Sequence, residues 1–227
     1  MLHTKAVILA SGGLDSTVTA AIAKAEGHDI YLLTFFYGQR HAIEVSKASE
    51  IAAWIQAKEH KVVDLDLRIF GGSALTAPLD VPQHHSLGDR AEGIPITYVP
   101  ARNTIFLSLA LAYAEVLQAH RIYFGANTLD YSGYPDCRPE FVKAFMQVAR
   151  LGTKIGADGE TIEILTPLIK MSKSEIIQKG LELDVPFHLT HSCYAPEENG
   201  QACGHCDSCL FRQEGFHNAG LKDPALR

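Results

Sequence analysis

Short apolar runs alternate along the chain with segments whose apolar residues recur every three to four positions, the pattern of strands alternating with amphipathic helices. Residues 5–10 (KAVILA) and 29–36 (DIYLLTFF) are apolar on both faces and rich in β-branched and aromatic side chains, as buried parallel strands are. Between them Val18, Ala21, Ile22 and Ala25 fall on one helical face, and Gly27 supplies a stop. Ala48, Ile51, Ala52 and Ile55 repeat that spacing before a third strand expected over residues 61–67. Residues 103–118 read as a helix apolar nearly all round, hence buried, feeding a strand at 121–126. Further helices are expected over 139–151 and, after a strand at 160–165, over 172–183, where Ser172 and Glu175 have the spacing of a capping box. Residues 69–100, with Pro78, Pro82 and Pro95 and a polar tip over 84–92, have no period and suit either a functional lid or a mobile surface loop. From about Val185 the pattern gives way to turn residues and cysteines. Consecutive βα units demand right-handed crossovers, so the expected fold class is α/β, a doubly wound parallel sheet. The expected division is a body over residues 1–184 and a small extension over 185–227.

At 227 residues, with 47% apolar and 20% charged, the chain can bury one sizeable core, which sets aside disordered, collagen-like and coiled-coil classes. Twenty basic against 26 acidic side chains give a formal charge of -6, so no generic attraction to nucleic acid is expected. The longest apolar stretch, 105–114, is broken by Ser108 and followed by Glu115, short of the roughly 20 residues a bilayer requires. The apolar run over 6–10 is likewise too short for the hydrophobic segment of a secretory signal. Five cysteines, four of them gathered between Cys193 and Cys209, fit a reducing cytoplasm and a metal site better than a disulfide framework. The expectation is a cytoplasmic protein with small-molecule partners, no membrane and no nucleic acid.

Ser11-Gly12-Gly13-Leu14-Asp15-Ser16 sits between the first strand and the first helix, where an open α/β sheet places its ligand. Paired glycines let bare N–H groups approach an anion, while Ser11 and Ser16 add hydroxyl donors. Asp15 would repel a naked phosphate and makes sense with a bridging magnesium ion. A tight turn with a good helix cap is the alternative. Neither G-x-x-x-x-G-K-[ST] nor G-x-G-x-x-G occurs. The hexapeptide resembles the pyrophosphate loop, S-G-G-x-D-S, of the N-type ATP pyrophosphatase (PP-loop) superfamily, whose members grip the β and γ phosphates and release pyrophosphate after forming an adenylate.

Cys193, Cys203, Cys206 and Cys209, with Gly204 and Asp207 giving tight turns, suit tetrahedral zinc in a closed, structural site. An iron–sulfur cluster is the rival, although the Cys-Pro that completes a ferredoxin run is missing. His191, His205 and His217 are neighbours that could substitute as ligands. Asp130-Tyr131-Ser132-Gly133-Tyr134-Pro135-Asp136-Cys137-Arg138 follows a strand at its ligand-binding end. Its tyrosines can stack on a planar ring, its aspartates accept from ring N–H groups, and Arg138 can hold a carboxylate. A hydrogen-bonded loop closing onto a helix that starts near Pro139 is the structural alternative. In Val99-Pro100-Ala101-Arg102-Asn103, Arg102 lies either near nucleotide phosphates or in a surface ion pair, with Asn103 as a helix cap. Lys170 and Lys173 stand around a helix N-terminus, where cations are disfavoured, and so either answer an anion or are merely solvated.

Together SGGLDS, VPARN, DYSGYPDCR and the four cysteines resemble the 7-cyano-7-deazaguanine synthase (preQ0 synthase) family of queuosine biosynthesis, in order and over nearly the whole chain. The resemblance implies a PP-loop sheet of the adenine-nucleotide alpha-hydrolase-like type with a C-terminal zinc-binding knuckle. It also implies one structural Zn2+ per chain on the four cysteines, a homodimer, and ATP as co-substrate with Mg2+. Ala10, Ser11, Gly12, Gly13, Leu14, Asp15, Ser16, Thr17 and Val18 would hold ATP. Asp15, Arg102, Lys170 and Lys173 would be catalytic, and Asp130, Tyr131, Tyr134, Asp136 and Arg138 would bind 7-carboxy-7-deazaguanine. Such an enzyme converts that acid and ammonia to the nitrile through an adenylated acid and an adenylated amide. The net stoichiometry is also written with ADP and phosphate, and the sequence leaves the two open. Adenylation already activates the substrate, so Cys137 is not expected to act as a nucleophile. Rival readings are a tRNA-modifying thiolase, an amide-forming ligase of the same superfamily, and a nucleotide-dependent zinc-binding regulator.

Overall fold

Five short strands run in one direction in the computed structural model, which describes residues 4–39, 43–89, 93–129 and 134–225. They are β1 (Lys5–Leu9), β2 (Asp29–Phe36), β3 (Glu59–Asp64), β4 (Arg121–Tyr123) and β5 (Glu163–Leu165), in the order β3-β2-β1-β4-β5 with every pairing parallel. The described α-helices are α1 (Leu14–Ala25), α2 (Ile43–Trp54), α3 (Arg102–Leu117), α4 (Pro139–Gly152), the single turn α5 (Lys154–Ala157), α6 (Lys173–Glu182) and α7 (Asp207–Asn218).

The alternation of side chains along β1 explains why it is apolar throughout. Val7 and Leu9 join Leu33, Phe35, Leu107 and Ile122 on one face, under α3. Ala6 and Ile8 join Ala20, Ala23 and Leu32 on the other, under α1. Helix α1 is then covered again on its outer side, where Leu14, Val18 and Ala21 meet Ile176 and Ile177 of α6 and Phe216 of α7. Strand order turns from descending to ascending between β1 and β4, and at that switch the C-terminal strand ends leave a crevice.

The doubly wound sheet agrees with expectation, and so do β2 and the capping box of α6, in which the Ser172 hydroxyl accepts from Glu175 N–H and the Glu175 carboxylate accepts from Ser172 N–H. The third strand lies earlier than its apolar pattern predicts, at Glu59–Asp64, because it is an edge strand whose register is set by pairing with Tyr31 to Phe36. Strand β4 ends at Tyr123, three residues short, and the chain then leaves the sheet toward the crevice. Helix α7 is the element that periodicity does not reveal: Leu210, Phe211 and Phe216 are buried without forming a stripe. Within the stretch 69–100, Ala74, Leu75, Val81 and Val99 lie in the core. The tip of that stretch is tied to the cysteine segment, where His84 N–H donates to His205 O at 2.9 Å. No helix among the described residues is long and apolar enough to cross a membrane.

Candidate active site and metal centre

The crevice at the strand switch holds a cavity of about 200 Å³, walled by the loop after β1, the end of β2, the first turns of α2 and α3, the segment after β4, and residues 191–194. Gly12 adopts φ +76°, and a Cβ there would lie 2.6 Å from Glu44 O and 2.7 Å from Ala48 N, so only glycine lets this turn pack against α2. Ser16 closes the turn from inside. Its hydroxyl donates to Gly13 O at 3.1 Å and accepts from Ser11 N–H at 3.2 Å. Gly13 caps α1 without a side-chain hydrogen bond, leaving first-turn amides and the dipole of a twelve-residue helix at the cavity. Gly125 on the exit from β4 allows the opposite wall to approach: a Cβ there would lie 3.3 Å from Ser16 N.

Of the nine residues expected to hold ATP, Ala10, Ser11, Gly13, Leu14, Asp15 and Ser16 line the cavity. Gly12 supports it from behind, the Thr17 hydroxyl donates to Gly13 O at 2.8 Å, and Val18 packs beneath it in the core. Lys173 reaches in from α6, with Nζ 2.7 and 2.9 Å from the two oxygens of Asp15. The Lys173 side chain is 9% exposed and that of Asp15 18%, so the pair is largely withdrawn from water. Lys170 is exposed and does not line the cavity.

Arg102, in the first turn of α3, lies inside the cavity. It donates to the Tyr37 hydroxyl at 3.1 Å, and its guanidinium carbon sits 5.4 Å from the Tyr37 ring centre and 5.9 Å from that of Phe106. Burial would lower its pKa, but Tyr37, Tyr134, Tyr194 and Asp136 hold it up, so the cation persists. Arg102 has no ion-pair partner among the described residues. Burial pushes the Tyr37 phenol up to about 12.

Tyr134 lines the cavity, its hydroxyl hydrogen-bonded to Thr97 Oγ1 at 2.8 Å. Asp136, 4% exposed, is turned away: its carboxylate accepts from Asn103 N–H at 3.0 Å and so caps α3 from a distant loop. Burial raises its pKa against that hydrogen bond and the nearby Arg102. Arg138 is exposed at the start of α4, outside the cavity lining. Asp130 and Tyr131 lie outside the described residues. Cys137 is in the wall, and burial pushes its thiol up to about 12, consistent with a residue that is not a nucleophile.

Several wall residues carried no signal of their own in the sequence. Glu44 lines the cavity from the first turn of α2; burial pushes its carboxyl up to about 7, against the pull of Arg102 and a hydrogen bond with Gln39. Phe106, His191, Ser192, Tyr194 and Ser208 complete the wall. Topology could have found Glu44, since it follows β2, the neighbour of the strand that carries the glycine loop.

The Sγ atoms of Cys193, Cys203, Cys206 and Cys209 all lie within 4.8 Å of one another, with Cys203–Cys209 at 3.9 Å and Cys193–Cys206 at 4.0 Å. Tetrahedral Zn–S bonds of about 2.3 Å place sulfurs about 3.8 Å apart, so the set can close around such an ion. Amide N–H groups of Cys203 and Cys206 point at Cys193 and Cys203 sulfurs at 3.3 Å, stabilising thiolates. His205 and His217 are exposed and His191 lines the crevice cavity, so the thiols are the candidate ligands. The cluster touches the glycine loop through its flanks: Leu14 N–H donates to Ser192 Oγ at 3.3 Å and His191 N–H to Gly12 O at 2.9 Å.

A parallel sheet with a glycine loop at its switch point, a lysine answering the loop's aspartate and a separate four-thiol centre give the chain the α/β fold of the ATP pyrophosphatase class. The fold is shared with NMN synthetase from Francisella tularensis, at a TM-score of 0.51 and 19% identity over 97% of this chain and 79% of that one. More narrowly, the chain belongs to the family described as Queuosine biosynthesis protein QueC, whose family model matches residues 5–220. It is 58% identical over 221 residues to 7-cyano-7-deazaguanine synthase of Desulfatibacillum aliphaticivorans, covering 97% of this chain and 95% of that one. It is 57% identical over 223 residues to the synthase of Syntrophus aciditrophicus, covering 98% and 96%.

Proposed function

We propose that the chain is a carbon–nitrogen ligase that converts 7-carboxy-7-deazaguanine and ammonia to 7-cyano-7-deazaguanine at the expense of ATP. The observation that carries this is a single cavity in which the glycine loop faces Arg102 and the aromatic rings of Tyr37 and Phe106, in a member of this family. The first-turn amides of α1 suit the triphosphate, Arg102 suits an anionic acyl or phosphoryl group, and the rings suit a heterocycle. The carboxylate is a poor electrophile. Transfer of adenylyl to its oxygen supplies the leaving group that ammonia displaces, and the same loop serves again when the amide oxygen is activated. Positioning and charge neutralisation, with no covalent enzyme intermediate, supply the acceleration.

Asp15 would hold Mg2+ with the phosphates: Lys173 takes one contact from each carboxylate oxygen and leaves lone pairs for a cation. Mg2+ would neutralise the charge that develops on pyrophosphate. Zn2+ on the four cysteines would be structural, with residues 185–227 an extension held onto the 1–184 body. Tyr134, in the cavity wall, would contact the substrate ring, and Asp136 would act through α3. We assign the chain to a reducing cytoplasm on its free thiols, without a nucleic-acid partner, and to a homodimer supported by the exposed apolar side chains of Val116, Val148 and Leu151.

Incubation with ATP, magnesium, ammonium and 7-carboxy-7-deazaguanine, followed by mass analysis, tests the reaction. The expected products are the nitrile, AMP and pyrophosphate. Accumulation of the amide alone would favour the amide-forming alternative, and no turnover of the acid would overturn the assignment.

A further inference from the structure

Making a nitrile from ammonia strips protons from one nitrogen repeatedly, and a group must receive them. Among the described carboxylates lining the cavity, Asp15 is engaged by Lys173 through both oxygens and is assigned above to Mg2+. The other is Glu44. It lines the same cavity as Arg102, and a carboxylate sharing the cavity with the cation that would hold the acyl oxygen would be within reach of the acyl carbon where nitrogen enters. We propose that Glu44 is the proton acceptor for this nitrogen, an assignment that rests on the ligase reading above.

In the first step ammonia attacks the acyl adenylate. The C–N bond forms, the C–O bond to AMP breaks with its electron pair leaving on AMP, and Glu44 takes one N–H proton. In the second, the amide oxygen attacks the α phosphorus of ATP, pyrophosphate leaves, and nitrogen loses one proton to Glu44, which passes it to water. The C–O bond to AMP then breaks as the last N–H proton goes to Glu44 and the C≡N bond closes. Water takes each proton from Glu44 between steps.

The charged and titratable groups around Glu44 fit this role. Arg102 faces it from α3, and Tyr37 after β2 is a neutral phenol in the working range. Tyr194 shares its wall, and Gln39 donates to it. Lys47 on its own helix is engaged by Glu50 at 3.0 Å. An anion arriving on Arg102 cancels the field that keeps Glu44 acidic, so substrate binding makes Glu44 a stronger base at the moment it is needed. An acceptor poised near neutrality is the most effective general base at neutral pH.

The amide intermediate, 7-carbamoyl-7-deazaguanine, supplied with ATP and magnesium, isolates the second step from the titration of ammonia. Wild-type kcat/KM for nitrile formation, which reports the free enzyme, is expected to rise with pH along a limb centred near 7. Glu44→Gln is expected to lower kcat by about 100-fold and to erase that limb, with KM for the amide changed by less than about threefold. Glu44→Asp, the second variant should Gln disturb folding as read by circular dichroism, is expected to retain the limb at an intermediate rate. A limb that survives in Glu44→Gln overturns the proposal, as does a loss expressed in KM alone, which would make Glu44 a reader of the heterocycle edge. A wild-type protein inert toward both acid and amide overturns the ligase reading itself, and the assignment falls with it.

Discussion

Lys173 Nζ bridges both oxygens of Asp15, at 2.7 and 2.9 Å, across 158 residues of sequence. The contact ties the N-terminus of α6 to the glycine loop, and it answers a question that each residue poses alone. A lysine at a helix N-terminus and an aspartate in a turn proposed to bind phosphate are both electrostatically misplaced, and each is the other's remedy. Lys173→Met leaves the Asp15 charge largely buried and unpaired. Removing one partner of a buried pair costs about 3–5 kcal/mol, and the partial exposure of Asp15 places the expected loss near the lower end, about 3 kcal/mol, by urea unfolding. The double variant Asp15→Asn/Lys173→Met is expected to recover more than half of that loss while remaining unable to turn over ATP. Additive losses in the double variant would mean that the two side chains do not act as a pair.

Cys137 is expected to remain a thiol throughout the working range, because burial holds its pKa at about 12 rather than near 9. Cys137→Ala should therefore keep turnover within about tenfold of wild type, and a loss beyond about 10³-fold would restore the covalent mechanism. The same shift predicts a stability effect of definite sign. A thiol whose pKa is raised on folding contributes stability that is fully present below pH 9 and lost as pH climbs from 9 to 12. The slope is at most about 1.4 kcal/mol per pH unit from this one group. The tyrosines also titrate there, so the signature is the difference: Cys137→Ala should lose less stability between pH 8.5 and 10.5 than wild type does.

The four-thiol centre and the glycine loop are coupled through two residues that precede Cys193. Ser192 Oγ accepts from Leu14 N–H, and His191 N–H donates to Gly12 O. Wild-type protein should carry one zinc per chain by elemental analysis. Removing it with a chelator, or replacing Cys206 by Ser, is expected to release residues 191–194 and to weaken ATP binding at least tenfold by calorimetry. The Leu14 amide should exchange its hydrogen faster. An unchanged ATP affinity in metal-free protein would mean that the thiol centre holds only its own turn.

The sheet was legible because its inner strands are buried on both faces, and such runs as residues 29–36 carry enough apolar β-branched and aromatic side chains to define themselves. The glycine loop was legible because Gly12 is forced by close backbone packing, and the thiol cluster because four ligands for one ion fall within a short span. What the chain did not disclose locally are contacts made by folding. Asp136 sits in a string of residues suited to binding a ring, yet its Oδ2 accepts from the N–H of Asn103. Glu44 follows a polar stretch typical of any loop, and only the adjacency of β2 to β1 carries it to the cavity. Helix α7 is buried on several sides by partners distant in sequence, so it shows no single apolar stripe.

Arg212 stands in a cysteine-rich tail that reads as polar surface, but the fold buries it at 6% exposure against Asp223 at 4%. Its guanidinium is fully employed: Nε and Nη2 donate to the two Asp223 oxygens at 2.6 and 2.9 Å, Nη2 to Phe187 O at 3.0 Å, and Nη1 to Thr190 Oγ1 at 2.7 Å. Phe187 and Thr190 lead directly into His191 and Ser192, so this fork sets the path of the segment that props the glycine loop. Lysine carries the charge but not the planar fork, and Arg212→Lys should lose about 2–3 kcal/mol of stability in urea unfolding. Asp223→Asn should cost about 3–5 kcal/mol, because it strands a buried cation. Both variants should also bind ATP more weakly than wild type under conditions where they remain folded. Were Asp223→Asn to unfold at the wild-type urea concentration, the C-terminal pair would be shown to be an ornament of the fold rather than a strut beneath the loop.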